Sequence, residues 1–135
     1  MPTTPPATPR LTPVLKAALS GVLDLAWVVL FVVIGRVNHD KGVNPAGVVS
    51  TLWPFALGLA VGWLVARGWR RPTALWPTGI VVWLGCVTIG MVFRVVSGQG
   101  TVAAFIGVAL AFVGLGLLGW RAIFPIIRRR RQWHA

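Results

Sequence analysis

Apolar residues fall in four long runs, each separated from the next by a short polar or basic segment. The first covers residues 14–34, VLKAALSGVLDLAWVVLFVVI, and the others cover about 45–66, 74–93 and 102–120. A helix rises about 1.5 Å per residue and the hydrocarbon core of a bilayer is about 30 Å thick, so runs of about 20 apolar residues are long enough to cross it. The pattern predicts an all-α fold, a four-helix transmembrane bundle.

The breaks carry their own signals. Asn44-Pro45 reads as an N-cap followed by proline at the first helical position, where a missing N–H costs nothing. Pro54 lies inside the second run, so the carbonyl of Ser50 loses its helical donor; a kink is expected, with Thr51 or a neighbouring helix supplying the substitute. Gly35-Arg36 closes the first run, and Thr73 is placed to cap the third, with Pro77 in its first turn. Ser97 to Gly100 is turn chemistry, and Thr101 can cap the fourth run. Residues 1–13, rich in proline and threonine, read as a flexible tail, and residues 122–135, interrupted at Pro125, read as a basic interfacial tail after the bundle of 14–121. The first run lacks the plan of a cleaved signal, so it is expected to stay in the mature chain.

Composition agrees with this picture. The chain has 135 residues, 56% of them hydrophobic, a mean hydropathy of +0.80, and 13 Lys and Arg against 2 acids. A net charge of +11 can mark nucleic-acid binding, but here the cations flank apolar runs, the pattern that orients membrane helices, so no nucleic-acid partner is expected. Arg10, Lys16, Arg67, Arg70, Arg71, Arg121 and Arg128 to Arg131 fall on one side, and Arg36, Lys41 and Arg94 on the other. That bias predicts a multi-pass protein of the cell membrane with both termini in the cytoplasm. The lone Cys86 excludes an intrachain disulfide and a cysteine cluster, and reads as a small core residue.

The position that demands most explanation is Asp24, in the middle of the first run. A carboxylate at mid-membrane costs on the order of 3 kcal/mol even on the lenient insertion scale, so it should face helices or a wet cavity and find donors. A tryptophan N–H, a threonine hydroxyl such as Thr88, or an arginine would serve. Two roles stay open. Asp24 is either a strut that fixes helix register or the floor of a funnel whose rim holds Arg36, His39, Arg94, Gln99 and Thr101. Arg36 itself is about 18 Å of helix rise away, too far for direct pairing.

Lipid gives helices no hydrophobic reason to associate, so small residues must allow close approach. Gly21, Pro54, Gly58, Gly62, Gly90, Gly107 and Gly114 are the expected packing positions. Trp53, Trp69, Trp76, Trp120 and Trp133 fall near run ends as an interfacial belt, whereas Trp27, Trp63 and Trp83 lie deeper and could line an apolar-ligand pocket. Arg128, Arg129, Arg130 and Arg131 are expected to contact anionic lipid headgroups. No paired carboxylates, no nucleophile with a base and no phosphate loop are present, and the histidines belong to no ligand set, so neither an enzyme nor a cofactor or metal is expected.

Asp24, Gly35-Arg36 with His39, Trp53-Pro54-Phe55 with Gly62-Trp63, Trp76-Pro77-Thr78-Gly79, Gly90 to Arg94, Gly98-Gln99-Gly100-Thr101 and Gly119-Trp120-Arg121 together carry a family resemblance. Over about Leu15 to Arg121 the sequence resembles the small four-span bacterial and haloarchaeal membrane proteins grouped as a domain of unknown function (family 3054). The resemblance implies an uncharacterised bacterial integral membrane protein and supplies no substrate. Three functions remain: a small carrier or channel-like unit using Asp24 and the outer arginines; a non-catalytic accessory or scaffold subunit, homo-oligomeric or in a larger membrane complex, packing through its glycine faces; and, third, a pocket for an apolar ligand.

Overall fold

The computed structural model describes residues 12–38, 44–99 and 103–133. Four helices account for nearly all of them: α1 (Pro13–Asn38), α2 (Pro45–Ala66), α3 (Ile80–Val96) and α4 (Ala103–Trp133). Each provides a segment long and apolar enough to cross a membrane, that of α3 beginning at Leu75 in the turn before it. The outer surface is apolar, with Val22, Leu64, Val65 and Leu115 among many exposed aliphatic side chains. Such a surface belongs in lipid, because in water it would be an aggregation site.

The helix starts follow local chemistry. Thr12 Oγ1 accepts from Leu15 N at 3.2 Å, capping α1 just before Pro13. Asn44 caps α2 as expected, its side chain accepting from Gly47 N at 2.6 Å with Pro45 following. At the other end of α2, Arg67 adopts the left-handed conformation (φ 50, ψ 53), and Gly68 N and Arg67 N bond back to Trp63 O and Leu64 O.

Three boundaries differ from the sequence expectation. Gly35-Arg36 does not end α1, which runs on to Asn38; Arg36 sits in its last turn, where a cation suits the helix dipole. Thr73 does not cap the third helix. Residues Leu75–Gly79 form a wide turn with Trp76 extended and a cis Trp76–Pro77 peptide, and regular α3 begins at Ile80. Pro125 does not interrupt α4, which continues to Trp133. One lost backbone bond is tolerated there because the turns on either side keep theirs. The expected tail of residues 1–13 lies outside the described residues except for its last two.

The core joins all four helices through Val28, Phe31, Phe55, Leu59, Val82, Cys86, Val113 and Leu117. The most extensive helix pair is α2 with α3. A Cβ on Gly58 would lie 2.7 Å from Cys86 O, and one on Gly62 would lie 2.8 Å from Val82 Cα, so these two backbones touch. Gly85 faces Gly62 from the other side, and Gly90 makes room for the Phe55 ring. The buried Cys86 thiol donates to Phe55 O at 3.4 Å. Gly107, expected to pack, instead faces open space, since the side of α4 carrying it is turned outward.

Gly58→Ala should therefore force α2 from α3 and cost about 1–3 kcal/mol, whereas Gly107→Ala should be neutral or stabilising by up to about 1 kcal/mol. Helicity followed through an SDS titration from dodecyl maltoside micelles measures both. Equal midpoints for the two variants would contradict the close α2–α3 contact.

Candidate functional site

Asp24 is fully buried, and both its oxygens are occupied. Arg121 of α4 meets it end-on, Arg121 Nη1 donating to Oδ1 at 2.8 Å and Nη2 to Oδ2 at 2.6 Å. Two indoles complete the ring of donors: Trp120 Nε1 to Oδ1 at 2.9 Å and Trp63 Nε1 to Oδ2 at 3.0 Å. Bidentate pairing of this kind is the strong form of the arginine–carboxylate contact. Arg121 also spends Nε on Pro72 O (3.0 Å) and Nη1 on Leu117 O (2.9 Å), and its guanidinium carbon lies 4.5 Å from the centre of the Trp120 ring. Four of its hydrogen bonds thus end on named acceptors, in a side chain as buried as the acid it holds.

Local structure places each member. Gly68 follows the left-handed Arg67, and a Cβ there would overlap the Trp63 indole, so this glycine lets Trp63 lie back along the end of α2 and reach Asp24. Gly79 is similarly constrained, because a Cβ would come 3.0 Å from Arg121 Cδ. Ser20, one turn before Asp24 on α1, satisfies its own hydroxyl on Lys16 O.

The other tryptophans predicted to be deep also find fixed partners. Trp27 Nε1 donates to Phe112 O at 2.8 Å and Trp83 Nε1 to Leu110 O at 2.9 Å. In a helix the side chain at i+4 shields the carbonyl at i. Here those positions are Gly116 and Gly114, and a Cβ on either would collide with the corresponding indole.

A second polar region occupies the opposite end of the bundle, in a cleft of about 270 Å³ between all four helices. Its polar wall comes from Arg36, Ser50, Thr51, Arg94 and Gln99, and its apolar floor from Phe31, Phe55 and Phe105. Arg36 Nη1 donates to Thr51 Oγ1 at 2.8 Å, and Arg94 Nη1 donates to Gln99 Oε1 at 3.3 Å. The Arg94 guanidinium carbon stands 4.6 Å from the centre of the Phe105 ring. Gln99 Nε2 donates to Ser50 O at 3.2 Å, the carbonyl freed by Pro54, so the substitute comes from the α3–α4 turn. Thr51 Oγ1 donates instead to Gly47 O.

The expected site therefore splits in two. Arg36, Arg94 and Gln99 come together around the cleft, but Asp24 is not its floor. Val28 and Phe31, one and two turns beyond Asp24 on the same face of α1, are buried between them. Thr88 is exposed on α3 and donates nothing to Asp24, because the face of α3 turned inward carries Cys86, Val87, Gly90 and Met91 instead. Trp120 leaves the expected interfacial belt to become an inner donor. His39 and Thr101 lie outside the described residues, as do the side chains of Arg128, Arg129, Arg130 and Arg131. Of the packing positions, Pro54, Gly58, Gly62, Gly90 and Gly114 are buried, and Gly21 approaches Trp63.

Four membrane-length helices with an apolar exterior and an interior ion pair define a multi-pass membrane protein. The chain belongs to the family described as Protein of unknown function (DUF3054), whose model matches residues 21–124 and so includes both polar regions. Neither a curated protein nor a solved structure matches it.

Removing one partner of a buried pair strands the other, so Arg121→Met should cost about 3–5 kcal/mol. Adding Asp24→Asn should recover most of that loss, with tryptophan fluorescence through an SDS titration as the readout. A double variant no more stable than Arg121→Met would show that the two groups are not coupled.

Proposed function

We propose that the protein is a non-catalytic accessory or scaffold subunit of the bacterial cytoplasmic membrane, with both termini in the cytoplasm. The observation that carries this reading is the state of Asp24: buried, bidentate with Arg121, and with no oxygen left for a travelling ion. A carrier that worked through Asp24 needs a polar route to it from the surface, and Val28 and Phe31 occupy that line.

Orientation rests on the cation bias, since ten of the 13 Lys and Arg fall on the side of the α2–α3 connection and the two ends of the chain. The partners this reading requires are the bilayer itself, anionic headgroups around the C-terminal arginines, and further copies or a larger membrane complex.

In liposomes carrying a pH gradient and an internal pH dye, wild type and the Asp24→Asn/Arg121→Met variant should both leak protons no faster than protein-free vesicles. A protein-dependent flux that the neutral pair abolishes would restore the carrier reading. A fluorescent reporter fused to the C-terminus should glow in the cytoplasm, and a signal confined to the outside would reverse the topology.

A further inference from the structure

We propose that the cleft between Arg36 and Arg94 is a binding site for a small amphipathic oxyanion, a carboxylate or phosphate group attached to a compact apolar body. The argument begins with charge. The whole chain has two acids, Asp24 and Asp40. Asp24 is fully engaged at the far end of the bundle. Asp40 lies outside the described residues, and even if it meets one cleft arginine it can neutralise only one. At least one guanidinium in a cleft walled by helices is therefore left without a carboxylate from its own chain. Low-dielectric walls concentrate that field and favour an anion.

The wall is already arranged to receive one. Thr51 orients the Arg36 guanidinium, and Gln99 holds that of Arg94 through Nη1, leaving further N–H donors on Arg94. Arg94 Nε is buried and has no acceptor among the described residues. A bare Cα at Gly47 makes space for the Arg36 guanidinium, since a Cβ there would take its place. Arginine presents its donors in a planar fork that matches the oxygens of a carboxylate or phosphate.

The floor selects what the oxyanion is attached to. Phe31, Phe55 and Phe105 form a mutually packed aromatic base, with ring centres 5.5 to 6.3 Å apart. It offers no hydrogen bonds, so an inorganic anion would leave it poorly filled and an apolar body would fill it. The cleft, about 270 Å³ and open on one side, has room for an aryl or short alkyl group on this floor. The cleft reaches the surface at Ser50, which is exposed. Two sources supply this chemistry, a free solute or a lipid whose phosphate meets the arginine while the apolar base of its chains lies on the aromatic floor.

The test is calorimetric titration of the full chain in dodecyl maltoside with phenylphosphate, and separately with inorganic phosphate. Phenylphosphate should bind saturably and more tightly than inorganic phosphate. Arg94→Gln should weaken it by about tenfold or more. Ser50→Trp, on the exposed rim, should block binding while keeping an unfolding midpoint close to that of wild type. Displacement of phenylphosphate by dihexanoyl phosphatidylglycerol would assign the site to a lipid headgroup, and failure to displace it would assign the site to a solute. Absence of saturable phenylphosphate binding, or equal affinity in wild type and both variants, would overturn the proposal.

Discussion

The arrangement of the bundle depends on hiding one carboxylate among apolar helices. Lipid offers Asp24 neither water nor hydrogen bonds, so its charge has to be met within the protein. The donors come from α4 twice, through Trp120 and Arg121, and from α2 through Trp63. Arg121 then recruits the turn before α3 through Pro72 O. One acid on α1 thus specifies a neighbour in α4 far away in sequence, the rotation of α2, and the path of the chain between α2 and α3. A purely apolar interior of the same volume could be equally stable. What the pair adds is register, because sliding α1 by one residue would turn Asp24 away from its donors.

The glycines serve two different needs, and both follow from the absence of water in the membrane. Gly58, Gly62 and Gly85 let two backbones touch, which gains the dispersion contact that helices in lipid must rely on. Gly68, Gly114 and Gly116 do something else: they clear a place for an indole. An indole N–H inside the membrane needs an acceptor, and the available ones are carbonyls already used once in a helix. Removing the side chain at i+4 exposes the second lone pair of Leu110 O and Phe112 O, so Trp83 and Trp27 can dock on them.

This distinction explains how much of the structure the sequence reveals. Four apolar runs bounded by caps and cations locate four helices, because span length and end chemistry are local properties. Asp24 announces that it needs donors, and tryptophan and arginine are the right kinds of donor. The particular arginine is hidden, since Arg121 follows the fourth apolar run and reads as one more flanking cation. It is placed inside by Asp24 on α1 and Pro72 O before α3, partners far away in sequence that no window contains. Thr88 illustrates the converse, a polar residue at the right depth on the wrong face. Gly107 and Gly114 lie seven residues apart, about two helical turns, but that spacing does not say that Gly114 opens onto a tryptophan and Gly107 onto empty space.

The two polar regions differ in the balance of their charges, and that difference separates structure from function within the same bundle. At the Asp24 end one arginine faces one acid, the donors are matched to the oxygens, and nothing remains to be satisfied from outside. At the other end Arg36 is held to Thr51, and the Arg94 guanidinium beside it faces amide and aromatic partners, which orient it without neutralising it. A site whose charges cancel is complete when the chain has folded. A site held in shape by neutral groups keeps its charge available, and in a protein with two acids and 13 Lys and Arg the missing anion has to come largely from elsewhere.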